Sequence, residues 1–400
     1  MAPRADRERA PLTARDLNRA TLARQGLLEP FATDPADAVQ GAGSLQAQHP
    51  EWPPVALASR SADQATADFA GALERRSVVR SSLMRITIHV VTADDLWPMF
   101  AVVQPLRLAQ WRLLLKADPL TSPLGKRMLA SHEAAIAALR DGPRTSLELD
   151  RIMAAEVGPQ ATATSRPRWR EPETRTVVRA AWRHFAACVP LVHVPWEGEG
   201  YGRSRYALAS DWLGIDPPQT DEPDARVQVA RRYLAAFGPA TIEDLLAYVG
   251  RGKGGIGPWR EAVAALADET VTLATDNGRT YLDLADAPRP AGNVYAPPRL
   301  LARWDSLLLS HATKARDRVI ADHHRPAVFS RNAEVLPTFL VDGVVAGTWD
   351  LSRPDGTAAI ELRPFDRLAR PTRDALVEEA ERLLGLVAPN AEARRVDLAA

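Results

Sequence analysis

The chain repeats one phrase, written first as Gly142-Pro143-Arg144-Thr145-Ser146-Leu147-Glu148 and later as Gly238-Pro239-Ala240-Thr241-Ile242-Glu243-Asp244. In each copy Gly-Pro turns the chain and the threonine can cap a helix. The acid three residues later, Glu148 or Asp244, can bond back to complete a capping box. The segment Leu12-Thr13-Ala14-Arg15-Asp16-Leu17 is a looser third copy. The phrase therefore predicts three helix starts that head repeated units.

Each helical region is followed by a pair of short strand patterns. The last pair flanks Asn277-Gly278, a dipeptide typical of tight hairpins. Helices followed by a β-hairpin, three times over, are typical of tandem winged-helix units. The predicted strand pairs are 77–82 with 85–91, 191–194 with 205–208, and 271–273 with 280–282.

The C-terminal third has a different pattern. Turns at Asp342-Gly343 and Asp355-Gly356 separate three strand patterns, and an amphipathic helix follows over 372–386. We therefore predict an α+β fold of three tandem winged-helix units followed by a C-terminal antiparallel β-meander or barrel with a terminal helix. The predicted domains are 1–118, 119–218, 219–290 and 291–400.

Composition limits the possible functions. The 400 residues carry 50 basic and 50 acidic side chains, so any nucleic-acid surface must come from local segregation of charge. The single cysteine, Cys188, permits neither an internal disulfide nor a thiolate metal cluster. His323-His324 lacks a second group of ligands, and no stretch approaches the ~20 apolar residues of a membrane span. We expect a cytoplasmic protein without metal or cofactor.

Two stretches are rich in basic residues, 166–183 and 299–331. A single stretch of this kind is more simply a solvated face. Two of them in a chain with predicted winged helices make DNA binding an equal alternative. Within the second stretch, 314–318 is the better candidate for phosphate contacts.

The most specific chemical pattern is Gln46-Ala47-Gln48. If the segment is extended, both amides lie on one side of it. Thr87 and His89 likewise share one face of a predicted strand. A solvated surface is the simplest interpretation of either pair alone. The functional interpretation is that all four side chains line one cavity.

Five phrases in the same order carry a resemblance to a known family. They are Leu45-Gln46-Ala47-Gln48 with Pro50 and Arg60, Arg85-Ile86-Thr87-Ile88-His89, Phe237-Gly238-Pro239-Ala240-Thr241 with Asp244, the segment 303–311, and the segment 340–349. On these phrases the chain resembles the AlkZ-like winged-helix DNA glycosylases. This resemblance implies three winged helices around a DNA-sized channel, and a catalytic Gln-x-Gln motif at Gln46 and Gln48. Glutamine at 48, where related proteins carry aspartate, is typical of the antibiotic self-resistance branch, and Tyr248 stands where tryptophan is expected.

The resemblance implies excision of bulky or crosslinking N7-alkylguanine from double-stranded DNA by a monofunctional bacterial repair enzyme. Such a base is already cationic and leaves as a neutral molecule, so two neutral amides that position a water at C1′ suffice. Repeated internal units make a monomer sensible. The alternatives are a non-catalytic winged-helix transcription regulator and a drug-sequestering protein. The expected DNA contacts are Arg60, Arg85, Arg303, Lys314, Arg316 and Arg318.

Overall fold

The computed structural model describes residues 4–5, 11–31, 34–114, 123–157, 182–194, 205–218, 221–250, 255–330, 333–353 and 356–399. The fold is α+β, with three sheets among the described residues. The helices are α1 (Ala14–Arg24), α2 (Pro35–Gly41), α3 (Trp52–Ala58), α4 (Asp63–Ala67), α5 (Phe69–Glu74), α6 (Ala93–Leu114), α7 (Pro123–Arg140), α8 (Ser146–Val157), α9 (182–188), α10 (Ala209–Leu213), α11 (Glu222–Phe237), α12 (Ile242–Val249), α13 (Gly257–Ala264), α14 (Ser306–Leu309), α15 (Arg325–Val328) and α16 (Arg370–Val387).

The strands are β1 (Arg4–Ala5), β2 (Leu45–Gln46), β3 (Val78–Ser82), β4 (Ile88–Thr92), β5 (Arg144–Thr145), β6 (Leu191–Val194), β7 (Arg205–Leu208), β8 (Thr270–Ala274), β9 (Thr280–Leu284), β10 (Arg299–Leu301), β11 (Thr338–Val341), β12 (Val344–Ser352), β13 (Thr357–Pro364) and β14 (Ala393–Leu398). The two longest strands, β12 and β13, lie in the C-terminal sheet.

The predicted helix starts are confirmed. Thr13 with Asp16, at the start of α1, and Thr241 with Asp244, at the start of α12, form complete capping boxes. At the start of α8 the Thr145 backbone N–H donates to Glu148 over 2.7 Å, and the Glu148 backbone N–H donates to the Thr145 hydroxyl over 3.2 Å. Each box satisfies helix N–H groups that have no partner within the helix.

The first two hairpins belong to one sheet of six strands in the order β2-β4-β3-β6-β7-β5. The hairpin β3–β4 joins the hairpin β6–β7 through Arg80, which pairs with His193. The prediction that the second strand of the first hairpin starts at Arg85 is wrong. Met84–Ile86 forms a 3-10 turn, and the strand starts at Ile88.

The third hairpin, β8–β9, lies in a separate sheet with β1. Ala240, just before α12, forms a bridge with Leu282 of β9. In the six-stranded sheet β5, just before α8, pairs in the same way with β7, the second strand of its hairpin. Each Gly-Pro phrase therefore adds a short pairing to the hairpin that follows it, the strand β5 in one case and the single bridge at Ala240 in the other.

The C-terminal sheet has five strands in the order β10-β11-β12-β13-β14. The predicted antiparallel meander is β11–β12–β13, and β14 adds a parallel pairing to β13. The sheet is open between β10 and β14, so the predicted alternative of a barrel is wrong. The terminal helix α16 packs its apolar face on this sheet, with Leu376, Leu383 and Leu384 buried.

Hydrophobic cores cross the predicted domain boundaries. One cluster joins α6 and β3 of the first unit to α11, α12 and α13 of the third. Another joins α2, α3 and β4 to the C-terminal sheet and α16. The second predicted unit also has a small cluster of its own around Phe185 and Leu149. Strand β4 is therefore packed against several parts of the chain at once.

Candidate active site

The motif Gln46-Ala47-Gln48 lies along the edge of the first hairpin. Gln46 is in β2 and pairs directly with His89 of β4. The Ala47 backbone N–H donates to the Ile88 carbonyl oxygen over 2.8 Å. In the other two units the pairing at this place, next to the second strand of the hairpin, is made by the Gly-Pro phrase. The glutamine motif thus occupies the short first strand of the first unit.

The side-chain amide of Gln46 is held by its oxygen. An Arg85 Nη donates to Gln46 Oε1 over 3.2 Å, and the Thr87 hydroxyl lies 3.4 Å from the same oxygen. The Thr87 hydroxyl is closer to the Met84 carbonyl oxygen, at 3.0 Å. Because a guanidinium can only donate, the Gln46 oxygen must face Arg85 and its NH2 group must face away. Gln46 is 6% exposed.

Gln48 is half-buried and is held in the same sense. The backbone N–H of Ile88 donates to Gln48 Oε1 over 3.3 Å. A backbone N–H is also a donor only, so this amide too turns its oxygen towards β4, and one bond to Ile88 leaves the second lone pair of that oxygen available. Gln46 and Gln48 therefore both turn their oxygens to the same short stretch, Thr87 and Ile88. That the four polar side chains line one cavity stays a prediction.

His89 is fully buried beside Gln46. Its Nδ1 lies 3.0 Å from the Thr87 carbonyl oxygen, and its Nε2 lies 3.2 Å from an Arg85 Nη. The proton therefore belongs on Nδ1, since both partners allow only that tautomer. Burial, with the Arg85 charge adding to it, lowers the pKa of His89 to about 3. His89 is a neutral histidine.

Arg85 connects the first unit to the third. Its Nη1 donates to the Tyr248 carbonyl oxygen, in the last turn of α12, over 2.9 Å. Burial lowers the pKa of Arg85 to about 10, which leaves it cationic at neutral pH. The Tyr248 hydroxyl is anchored in turn by Ser44 at 3.1 Å. Sequence reasoning missed this link, because only the fold brings α12 to β4.

A sequence model of the family described as "DNA glycosylase AlkZ-like" matches residues 39–386, which include these site residues. The chain belongs to the AlkZ-like DNA glycosylase family. An "Interstrand DNA cross-link repair glycosylase" from Streptomyces sahachiroi is 24% identical over 306 residues, which are 76% of this chain and 77% of that protein. The predicted family and the predicted class, a DNA repair glycosylase, are confirmed.

The solved structure of the DNA glycosylase AlkZ from Streptomyces sahachiroi is also similar to this chain. The two superpose with a TM-score of 0.76 and 20% identity, over 98% of this chain and 100% of that chain. At this identity the likeness shows a common fold.

Not all basic residues expected to bind DNA lie on the surface of this AlkZ-like chain. Arg60 is 1% exposed and forms a two-pronged ion pair with Asp305, with Nη–O distances of 2.9 and 2.5 Å. Arg318 is 3% exposed and donates to the Pro239 carbonyl oxygen over 2.8 Å. Arg60 and Arg318 were predicted from the sequence to bind DNA. Because both guanidinium groups are buried in the protein, the structure disfavours a direct contact of either with phosphate.

The remaining predicted DNA contacts differ in exposure. Lys314 is exposed. Arg316 is half-buried, donates to the His311 carbonyl oxygen over 3.1 Å and lies over the Phe329 ring. Arg303 forms an ion pair with Glu334 over 2.7 Å. The other basic stretch, 166–183, lies almost entirely outside the described residues.

Ligand groups for a metal do not gather in the described parts of this AlkZ-like chain. No set of at least three His, Cys, Asp or Glu side chains there could hold an ion. In the same parts of the chain, no helix is both long enough and apolar enough to cross a membrane.

Proposed function

We propose that this AlkZ-like protein excises N7-alkylguanine, including bulky or crosslinking adducts, from double-stranded DNA by water attack at C1′. The observation that carries the proposal is that Gln46 and Gln48 lie at one strand edge and that neither is bonded to a carboxylate of the described residues. Among the described residues, neither glutamine has an aspartate or glutamate as a hydrogen-bond partner. The printed name of the Streptomyces relative, an interstrand cross-link repair glycosylase, supports the choice of lesion.

The chemistry suits amides because the lesion supplies its own positive charge. An N7-alkylguanine leaves as a neutral base, so no general acid has to protonate it. The transition state is an oxocarbenium-like sugar, which water can trap without a strong base. Neutral amides contribute by holding the water at a fixed position and orientation.

The two glutamines take different parts in this proposal. Gln46 Oε1 already receives Arg85 and lies near the Thr87 hydroxyl, so its NH2 group is the available end. Gln48 Oε1 receives only the Ile88 N–H, which leaves one lone pair for a proton of the attacking water. Gln48 therefore orients the water, and Gln46 donates from the other side. From the sequence alone we expect both amide carbonyl oxygens to turn towards the developing positive charge of the sugar, and the roles proposed here assign that orientation to Gln48 alone.

The DNA lies, in this proposal, in a channel formed by three winged-helix units. Lys314 is the first candidate for a phosphate contact, because it is exposed. Arg303 and Arg316 are secondary candidates, since each already has a partner within the protein. The protein acts as a monomer in the cytoplasm, as a monofunctional glycosylase in DNA repair or in self-resistance to a DNA-alkylating antibiotic.

The test is the identity of the released base. The full chain is incubated with duplex DNA that carries single N7-guanine adducts, from methyl to bulky and crosslinked, and the products are identified by mass. We expect the free alkylguanine and an abasic site that breaks on heating. Duplexes that contain uracil or hypoxanthine are the controls, because these bases leave without a positive charge. Efficient excision of either would contradict the mechanism.

The runner-up is a non-catalytic winged-helix transcription regulator. Such a protein would bind duplex DNA and release no base from any adduct. Membership of a DNA glycosylase family favours the enzyme. The same incubation separates the two functions, because binding without an abasic product would support the regulator.

A further inference from the structure

The Arg85 side chain joins three acceptors from different parts of the site. It donates to Tyr248 O over 2.9 Å and to Gln46 Oε1 over 3.2 Å, and it lies 3.2 Å from His89 Nε2. These partners are all uncharged acceptors. No carboxylate pairs with Arg85 among the ion pairs of the described residues. The guanidinium N–H groups of Arg85 therefore bind groups of the site itself, whereas arginines such as Arg60 and Arg303 form ion pairs with carboxylates.

The backbone aims this side chain. Arg85 has φ 55° and the next residue, Ile86, has φ 58°. Two consecutive residues with side chains in the left-handed region are uncommon, and each is held there at an energetic cost by its surroundings. Gly250, at the end of α12, packs against this turn, and a Cβ at position 250 would lie 3.2 Å from the Arg85 Cα. The end of α12 therefore packs closely against this turn.

A side-chain amide can point either of its ends at a neighbour. A donor-only guanidinium favours the oxygen, and a flipped amide would set its NH2 group against Arg85. We propose that Arg85 is a positioning residue for base excision: it fixes the Gln46 amide so that its NH2 group faces the substrate. This role replaces the phosphate contact predicted from the sequence, and it rests on the function proposed above.

The first test uses the free protein and needs no activity. In protein labelled with 15N-glutamine, the side-chain NH2 signal of Gln46 is identified by its loss in Gln46→Ala. We expect Arg85→Ala to shift or broaden this signal, because the amide then has no fixed orientation. A Gln46 signal that is unchanged in Arg85→Ala would overturn the proposal.

Arg107 offers a matched control. Arg107 is buried, burial lowers its pKa to about 10 as it does that of Arg85, and it donates to the backbone carbonyl oxygens of Ala186 and Ser82. It makes no hydrogen bond to Gln46. Arg107→Ala should therefore resemble Arg85→Ala in lost stability and leave the Gln46 signal where it is in the wild type.

The second test is single-turnover release of 7-methylguanine from a duplex. We expect Arg85→Ala to lower the rate constant about 100-fold while the Kd for the duplex changes less than about 3-fold. Added guanidinium ion, at concentrations too low to unfold the protein, should restore part of the rate in Arg85→Ala and none in Gln46→Ala. Arg85→Lys, which keeps the charge and loses the fork, should fall between wild type and Arg85→Ala. Arg107→Ala should keep the wild-type rate per folded molecule.

The outcomes separate the two proposals. If wild type releases no alkylguanine, the proposed function fails, and the NMR signal of Gln46 still decides the role of Arg85. If wild type is active and Arg85→Ala excises at the same rate, the positioning role fails alone. If Arg85→Ala loses DNA affinity with an unchanged rate at saturation, Arg85 is the phosphate contact that the sequence suggested.

Discussion

The strand edge around β4 and the basic segment 299–331 were both predicted from the sequence to be functional, and the structure places their side chains differently. We call Gln46, Gln48, Arg85, Thr87 and His89 the β4 site. At the β4 site Arg85 and Thr87 contact Gln46, and Gln48 accepts a hydrogen bond from the Ile88 backbone N–H. In the basic segment, Arg318 points into the protein and Asp305 receives Arg60.

The two regions differ because one was predicted from a local backbone pattern, and the other from charges whose partners depend on the tertiary structure. Alternation along a strand is a local property, and it predicts that Thr87 and His89 lie on one face of a strand; in the structure Thr87 lies just before β4, which starts at Ile88, and His89 is fully buried. The number of charged residues in a segment does not show which of them form ion pairs in the folded protein. Arginine is also the residue best suited to a buried two-pronged ion pair. The basic segment therefore contributes partly to stability and partly to a surface, which its composition does not distinguish.

The largest expected effect tests this division at Arg60. Arg60→Ala leaves the Asp305 carboxylate buried without its partner, so we expect unfolding in urea to require about 3–5 kcal/mol less free energy. The control is Arg75→Ala, which removes an exposed ion pair with Asp68 and should leave the urea midpoint almost unchanged.

The competing result for Arg60 is equally clear. An Arg60→Lys protein of wild-type stability, with weaker DNA binding and a reduced dependence of that binding on salt, would make Arg60 a phosphate contact. It would remove the contrast between the β4 site and the basic segment.

Much of the fold was accessible from the sequence because its signals are local. The capping boxes at Thr13, Thr145 and Thr241 were predicted correctly, since each is closed within three residues. The contact between Arg80 and His193 was not, because it joins distant hairpins that carry no mutual pattern. The bond from Arg85 to the Tyr248 carbonyl was missed for the same reason, because every residue has a backbone carbonyl and the sequence does not distinguish this one.

The next effect in size tests the β4 site itself. Gln48→Ala removes the acceptor that we assign to the attacking water, and we expect single-turnover excision to slow about 10²–10³-fold with little change in DNA affinity. Gln64→Ala is the control, because it removes an exposed glutamine amide from α4 of the same unit. Equal losses of rate and affinity in Gln48→Ala would make Gln48 a binding residue.

The smallest effect compares the two regions by pH. Each holds one fully buried histidine, His89 at the β4 site and His311 in the basic segment, and burial lowers both pKa values from 6.5 to about 3. The unfolded chain therefore binds protons that the folded chain excludes, so stability is complete above pH 6.5 and falls as the pH drops towards 3. Between pH 6.5 and 5 the loss is about 2 kcal/mol for each such histidine.

Substitution identifies which histidine carries the loss. His89→Asn keeps a donor for the Thr87 carbonyl, and His311→Gln keeps one for the Phe237 carbonyl, so each variant can fold with its local bond intact. Urea unfolding at pH 6.5 and pH 5 should show a smaller acid loss in each variant than in wild type. His89 faces the Arg85 cation, and His311 faces the Arg318 and Arg316 cations as well as the Asp244 carboxylate. Because the pKa of each histidine falls to about 3, we expect His89→Asn and His311→Gln to relieve similar shares of the loss. An acid loss that stays at the wild-type size in His89→Asn would show that the exclusion of a proton from His89 does not contribute to it.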